Sequence, residues 1–445
     1  MGVGRRFADL VAFIRYYAKA KRGGRFRTRA ALEEWQDRQV RTFLAFVRSR
    51  SPFYREYYSG VDERDWQRYP MIDKTIMMAE FDRLNTVGIG REEAFSLALE
   101  AEETRDFTPE IRGITIGLSS GTSGNRGLFL VSPKERVMWA ATMLGKALPG
   151  SLFAEQRIAF FLRANSNLYG SVQKRRIQFQ FFDLLDDVSV HIEHLNRYQP
   201  SIIVSPPSML RLLGEAQMRG ELNVTPAKII SVAEVLDPLD QSFLSTCFKQ
   251  VIHQVYQCTE GFLATTCSHG TLHLNEDLLV IQKEYLDREQ GKFVPIITDF
   301  TRTTQPIIRY RLNDILTEQT VPCPCGSVFT PIVAIEGRCD DLFYFPSVKN
   351  GELVPVFPDF IRRAVIAATP DVREYRVIQE GPQHVQIMLR GPEDKRQEME
   401  DAVSASLCHI LEGMAVRPPV IGFMPYEFVP GATKLRRVER RFTLV

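Results

Sequence analysis

The sequence predicts an α/β protein with a large multi-sheet N-terminal domain, residues 1–339, and a small α+β C-terminal domain, residues 340–445. Three observations carry this. The chain has 445 residues, enough for more than one core, and 44% of them are apolar and 25% charged, an ordinary globular balance. From about residue 70 to 320, apolar runs of strand length alternate with helical patterns. From about 342 the pattern changes to strands around one long helix, "EDKRQEMEDAVSASLCHILEG".

Residues 1–60 read as a basic helical arm, with helical spacing in "WQDRQVRTFLAFVRS" and a stop at "SPFY". Residues 1–50 hold 13 Lys/Arg against 4 Asp/Glu, a net +9, so the remainder sums to −7 for the whole-chain charge of +2. A solvated helical face accounts for such a surplus; weak peripheral contact with an anionic membrane is the sharper reading. No stacking or groove-reading motif accompanies the charge, so no nucleic acid is expected as a partner. There is no apolar run of membrane-spanning length, and the start lacks the apolar core and cleavage site of a signal peptide. Seven cysteines, few and odd in number, argue against a disulfide framework and for a cytoplasmic location.

The strand candidate "GITIGL" runs into "LSSGTSGNRG", in which Ser119, Ser120, Gly121, Thr122, Ser123 and Gly124 form a hydroxyl- and glycine-rich turn before "LFLVS". Glycines let backbone N–H groups converge, and hydroxyls add donors, so the turn suits phosphate oxygens better than it suits a linker. It lacks the lysine of the common GxxxxGK[ST] loop. "RIAFFL", "SIIVSPP", "AKIISVAE", "KQVIHQVY" and "FVPIITDF" are strand candidates, separated by helices such as "PPSMLRLLGEAQMRG". "YQCTEG" (256–261) places Thr259 and Glu260 at a strand end, where a carboxylate suits Mg²⁺ held against phosphates; an isolated surface acid is the plainer reading. "PIIRYRLND" puts Asp314 after a strand, where its carboxylate can accept from both hydroxyls of a ribose. "EGRCDDLF" sits where the large sheet pattern ends, and its Gly337, Asp340 and Asp341 suit a flexible junction. "GATKLRR" leaves Lys434 in a loop near the terminus, where a lone lysine is ordinarily just solvated.

"CPCG" gives a Cys-x-Cys knuckle at Cys323 and Cys325, and "CSHGTLH" offers Cys267, His269 and His273 upstream. Three thiols and one imidazole make a closed tetrahedral site of the kind that holds structural zinc, though Cys-x-Cys alone leaves metal and no metal evenly balanced. Cys247 and Cys408 lie in apolar helical segments and read as core residues. Cys258 reads as a pocket-lining residue.

In this order, "SSGTSGNRG", "YQCTE", "PIIRYRLND", "GRCDD" and "TKLRRV" resemble the motifs of the adenylate-forming superfamily, which includes acyl-CoA synthetases and adenylation domains. The look is nearest to the phenylacetate–CoA ligase branch and its deazaflavin-adenylating relatives. The match spans residues 119 to 438. The resemblance implies that residues 119–124 cradle the β- and γ-phosphates of ATP. It implies that Ala233 and Glu234 flank the adenine and that Tyr256 lies with the nucleotide. It gives Thr259 to the α-phosphate, Glu260 to Mg²⁺, and Asp314 to the ribose with Arg338 nearby. It makes Asp340 the hinge of a mobile C-terminal lid and Lys434 the cation that swings in for adenylation. It also selects Cys267, His273, Cys323 and Cys325 as the zinc set, with His269 spare.

The implied activity is ATP- and Mg²⁺-dependent adenylation of a small, aromatic carboxylic acid, then transfer of the acyl group to the thiol of CoA or of a carrier protein. Three departures from the pattern bear on this. Gln257 replaces an expected glycine, Thr433 replaces another, and "LFYFPSVKNGELVPVFPDF" follows "GRCDD" where a glycine turn bordering a thiol tunnel is expected. They keep open AMP transfer to, or amide formation with, a non-thiol acceptor. A nucleotide-binding scaffold without catalysis is the reading from another class.

Overall fold

The computed structural model describes residues 3–22, 26–119, 126–150, 154–162, 176–428, 430 and 434–444. Their centre is a twelve-stranded sheet of two different halves. In one half, Ile177–Asp183, Gln156–Leu162, Ile202–Ser205, Lys228–Ser231 and Ile252–Cys258 lie side by side, all parallel. These are short β-branched and aromatic runs, apolar on both faces, and helices cover both faces. Helix Pro133–Ala147 packs on one face with Val3–Lys21 behind it, burying Phe13, Leu144, Ile158, Ile202 and Ile230. Helices Val188–Tyr198, Pro207–Arg219 and Pro238–Phe248 cover the other face over Phe161, Ile203, Leu213 and Ile229.

The alternation of strand and helix stops at Cys258, earlier than the expected 320. From Gly261 to Arg338 the strands follow one another without helices and pair antiparallel. "FVPIITDF" belongs to this half, as strand Lys292–Asp299. Short hairpin connections such as the turn between Asp287 and Lys292 allow only antiparallel pairing, since a parallel return needs a crossover of a dozen residues or more. Helix Arg29–Arg50 and the short helix Pro52–Tyr57 cover this half. Tyr54 and Tyr58, both fully buried, donate their hydroxyls to the carbonyls of Pro306 and Ile308.

The N-terminal helix Val3–Lys21 faces Gly145, where an added Cβ would lie 2.7 Å from that of Ala20. Its opposite side leaves Leu10, Val11 and Ile14 exposed at 45%, 51% and 53%. Among the described residues, no helix is long and apolar enough to cross a membrane.

A three-stranded sheet, Glu110–Ile111, Ile114–Leu118 and Leu128–Val131, stands beside the parallel half. At Gly117 the ring of Phe129 comes within 2.2 Å of where a Cβ would be, so any larger residue would have to displace that ring. Residues 343–440 pack around a core of their own, with Phe343, Phe345, Tyr375, Val403 and Leu407 at its centre. They form a hairpin, Phe343–Pro346 with Leu353–Val356, and a four-stranded sheet under helix Arg396–Gly413. The sequence suggests one strand after that helix. The structure has two, Val420–Pro425 and Val438–Arg440, on opposite edges of the sheet and parallel to their neighbours. Cys247 and Cys408 are half-buried on their helices rather than in a core, because each sits at the margin of an apolar face.

Candidate active site

The parallel strands all point their C-terminal ends at one cleft, the usual place for a ligand in an open α/β sheet. The cleft has a volume of about 1560 Å³. Ser119, Ala233, Glu234, Tyr256, Thr259, Glu260, Asp314, Arg338, Asp340 and Lys434 all line it. Ser120, Gly121, Thr122, Ser123 and Gly124 lie outside the described residues, as does Thr433.

Both ends of the hydroxyl-rich turn are held. Ser119 donates its N–H to the Gly127 carbonyl at 2.7 Å, and its Oγ accepts from the Gly127 N–H at 2.7 Å. The Lys74 ammonium reaches the same Oγ at 3.3 Å. Burial pulls Lys74 below the usual lysine range, while the charge of Glu260 opposes this. After strand Ile252–Cys258 the chain turns at Thr259, which donates its hydroxyl to Glu260 Oε2 at 2.8 Å. Tyr310 donates to Glu260 Oε1 at 3.1 Å. Each carboxylate oxygen keeps a lone pair, so the donor set fits a hard divalent cation.

Asp314 opens strand Asp314–Glu318 and accepts the Tyr256 hydroxyl at 2.5 Å. Burial pushes Asp314 above the ordinary carboxylate range, and Tyr256 and the Arg338 guanidinium oppose that push. Ala233 turns the chain after strand Lys228–Ser231 with φ 68°, a left-handed conformation unusual for alanine. The turn aims Glu234 at the C-terminal segment, where its Oε1 accepts the Leu435 N–H at 3.0 Å. Burial raises Glu234 as well. Lys434 is half-buried beside these acids. Burial and then the Arg338 charge hold its ammonium below the usual range, against the attraction of Glu234 and Asp314.

The two residues after Leu435 are also anchored. Arg436 pairs with Asp341, and Arg437 donates to the buried Asp240. Asp240 also accepts from Arg211 at 2.9 Å, and Tyr375 donates to Asp237 at 2.7 Å. Asp340, on the turn Cys339–Asp341, accepts from Asn313 Nδ2 at 2.5 Å.

Three groups in the cleft were not foreseen. Lys74 follows the N-cap Asp73 of a six-residue helix, with no local pattern to mark it. Arg302 donates to the Thr259 carbonyl at 2.9 Å and so fixes the turn before Glu260. Glu135 is buried and accepts from the N–H groups of Thr303 and Thr304 at 2.6 and 2.8 Å. Burial opposes its charge, yet Arg302 and these donors hold it below the usual carboxylate range. Its sequence signal is Ser132-Pro133-x-Glu135, a capping box that opens helix Pro133–Ala147.

Away from the cleft, Cys267, His273, Cys323 and Cys325 bring four ligand atoms within 4.8 Å of one another. The Cys267 and Cys323 sulfurs are 3.8 Å apart, and Cys325 Sγ is 3.4 Å from His273 Nε2. His273 Nδ1 lies 3.0 Å from the Phe329 carbonyl, which fixes the proton on Nδ1 and leaves Nε2 as ligand atom. His269 is not part of this group.

Solved structures share this architecture. A 2-hydroxyisobutyryl-CoA ligase in its postadenylation state with 2-HIB-AMP superposes with TM-score 0.68 at 15% identity, covering 93% of this chain and 90% of that one. GH3.15 acyl acid amido synthetase superposes with TM-score 0.55 at 13% identity, covering 90% and 87%. The chain has the fold of the adenylate-forming enzymes. Within that fold, the arrangement is nearer one state than another. The same CoA ligase in its thioesterification state superposes at only 0.54, over 93% of this chain and 90% of that one, at 14% identity. Among curated proteins, Protein CapK of Staphylococcus aureus is 21% identical over 354 residues, 73% of this chain and 71% of that protein. No family model matches the chain.

Proposed function

We propose that this protein activates a carboxylic acid by adenylation. The observation that carries the proposal is the meeting of Glu260, Asp314 and Lys434 in one cleft, with Lys434 supplied by a segment bonded through its next three residues to the rest of the chain. One carboxylate oxygen of the acid bonds to the α-phosphorus of ATP, the bond to the bridging oxygen breaks, and pyrophosphate leaves with the electron pair. The acid and the triphosphate repel each other, so the barrier falls when the charge is neutralised and the partners are held in line. Lys434 places an ammonium beside the reacting oxygens, and Thr259 offers a hydroxyl to the α-phosphate. Asp314 accepts from the ribose, with Tyr256 as the switchable donor that holds its carboxylate meanwhile. Ala233 and Glu234 flank the adenine, Arg338 lies by the ribose, and residues 119–124 receive the β- and γ-phosphates. Glu260 would hold Mg²⁺, which neutralises triphosphate charge when bound.

In this reading residues 1–339 and 340–445 are two domains, with Asp340 at the hinge. In the second half-reaction the thiol sulfur of CoA or of a carrier protein bonds to the acyl carbon and gives up its proton, the acyl C–O bond breaks, and AMP leaves with the electron pair. The hairpin Phe343–Pro346/Leu353–Val356, where a glycine turn is expected, favours a second reading in which the acceptor is an amine or hydroxyl. The likeness to an acyl acid amido synthetase supports it too. Cys267, His273, Cys323 and Cys325 would hold a structural zinc; cobalt substitution should give the intense ligand-to-metal absorption of thiolate coordination, and Cys323→Ser should weaken it.

The test is pyrophosphate release from ATP with a panel of acids, alone and with CoA, a phosphopantetheinylated carrier or an amine. Acid-dependent release is expected. ATP binding with no release for any acid would point to the scaffold reading. The aromatic character expected of the acid rests on resemblance alone.

A further inference from the structure

Positive charge is concentrated at one end of the chain. Residues 1–29 hold nine Lys/Arg against a single acid, Asp9, while the whole chain is nearly neutral at +2. None of the described residues among them lines the cleft, so the chemistry there does not account for the surplus. Helix Val3–Lys21 is fastened along helix Pro133–Ala147. Phe13 and Ala20 are buried in that contact, and Gly145 lets the backbones approach, with the Tyr17 carbonyl 3.0 Å from where its Cβ would be. The helix is thus already formed in the folded protein, and a partner need not meet the entropy of ordering it.

The outer side of this helix is both apolar and basic. Leu10, Val11 and Ile14 are each about half exposed. At about 100° per residue they share one arc of about 100°; Arg15 borders that arc, and Asp9 lies outside it. Arg15 is exposed, as are Arg22 and Arg27 in the segment that follows the helix. Lys19 and Lys21 turn back to the protein, over the Trp35 ring and onto the Leu148 carbonyl. Single exposed aliphatic groups are ordinary at a surface. Three on one arc beside a run of cations have the composition of an interfacial helix, whose aliphatic groups enter the boundary of a bilayer while its guanidiniums meet phosphate headgroups. A nucleic acid would match the cations but leave the aliphatic arc in water. A second copy of the chain would cover the arc but set the cations against their own kind.

We propose that helix Val3–Lys21 and the basic segment after it dock on an anionic phospholipid surface. The helix lies in the plane of the headgroups and keeps its packing on the rest of the protein. This stands independently of the adenylation reading. The experiment is co-sedimentation of the full-length protein with vesicles of phosphatidylcholine and of its equal mixture with phosphatidylglycerol, at low and high salt. Binding to the mixed vesicles should be stronger by about tenfold or more and should fall as salt rises. Arg15→Gln and Arg22→Gln should each weaken it about fivefold, the equivalent of about 1 kcal/mol. Leu10→Ser combined with Ile14→Ser should weaken it about tenfold or more. All four side chains are exposed, so the variants should keep the parent melting temperature. No binding, equal binding to both vesicles, or full binding by the serine variant overturns the proposal. Polyuridylate that competes for the protein and still binds the serine variant would give the cations to nucleic acid instead. A dimer that the serine substitutions dissolve, with no vesicle binding, would give the arc to a second copy; either result also overturns the proposal.

Discussion

The cleft and the core beneath it are built by opposite means. In the cleft, side chains from five separated segments meet by hydrogen bonds and charge: Lys74, Glu234, Glu260, Asp314 and Lys434. Beneath it, helix Pro133–Ala147 and the adjacent strands pack aliphatic side chains such as Leu144, Ile158, Ile202 and Ile230 into one core. A substitution in the cleft acts through charge and orientation, because each group is oriented by another. A truncation in the core acts through the void it leaves.

Several measurements can break or sharpen this contrast. The largest effect is expected in the cleft: Lys434→Ala should reduce pyrophosphate release by about 10²–10³, or roughly 3–4 kcal/mol in the barrier, with ATP affinity retained. Single-turnover rates beside nucleotide titration check it, and equal losses in both would remove Lys434 from the chemistry. Next comes Arg437→Ala. It leaves Asp240 with Arg211 as its remaining partner, in a site where both acid and guanidiniums are buried. A loss of about 3–5 kcal/mol in unfolding free energy is expected, read by urea titration. A smaller effect compares the two faces of one strand. Ile229→Ala, on one close-packed face, should cost about 2–5 kcal/mol. Ile230→Ala, on the face toward helix Pro133–Ala147, should cost a similar amount, and a much smaller loss would mean that this face is loosely packed in solution.

The smallest is a shift in pH dependence. Burial and Arg338 hold Lys434 low, so raising the pH removes its charge earlier than for an ordinary lysine. The alkaline limb of the adenylation rate should therefore lie below 10.5. Arg338→Gln removes a like charge and should move that limb upward; a limb that stays in place would assign it to another group.

Legibility in the sequence divides along the same line. Glu260, Asp314 and Asp340 sit in short local runs of five to nine residues at or just past strand ends, and it is the order of those runs along the chain, not any one acid, that singles them out. The parallel strands were legible as apolar runs, also a local pattern. Lys74 carries no such mark, since it depends on Ser119, just past the end of strand Ile114–Leu118 and 45 residues later. The antiparallel half was misjudged for a related reason: periodicity shows that Lys292–Asp299 is buried on both faces but not which strand lies beside it.

Leu435, Arg436 and Arg437 bond in succession to Glu234, Asp341 and Asp240, three different places on the molecule. Asp341 lies on the same side of the proposed hinge at Asp340 as the segment, so in the adenylation reading withdrawing Lys434 must undo the other two together, and the segment works as a latch rather than a loose flap. Of these two clasps only Arg437–Asp240 is an ion pair, and it is shielded from solvent. Salt should therefore speed release little, and the shielded clasp should set the dwell time.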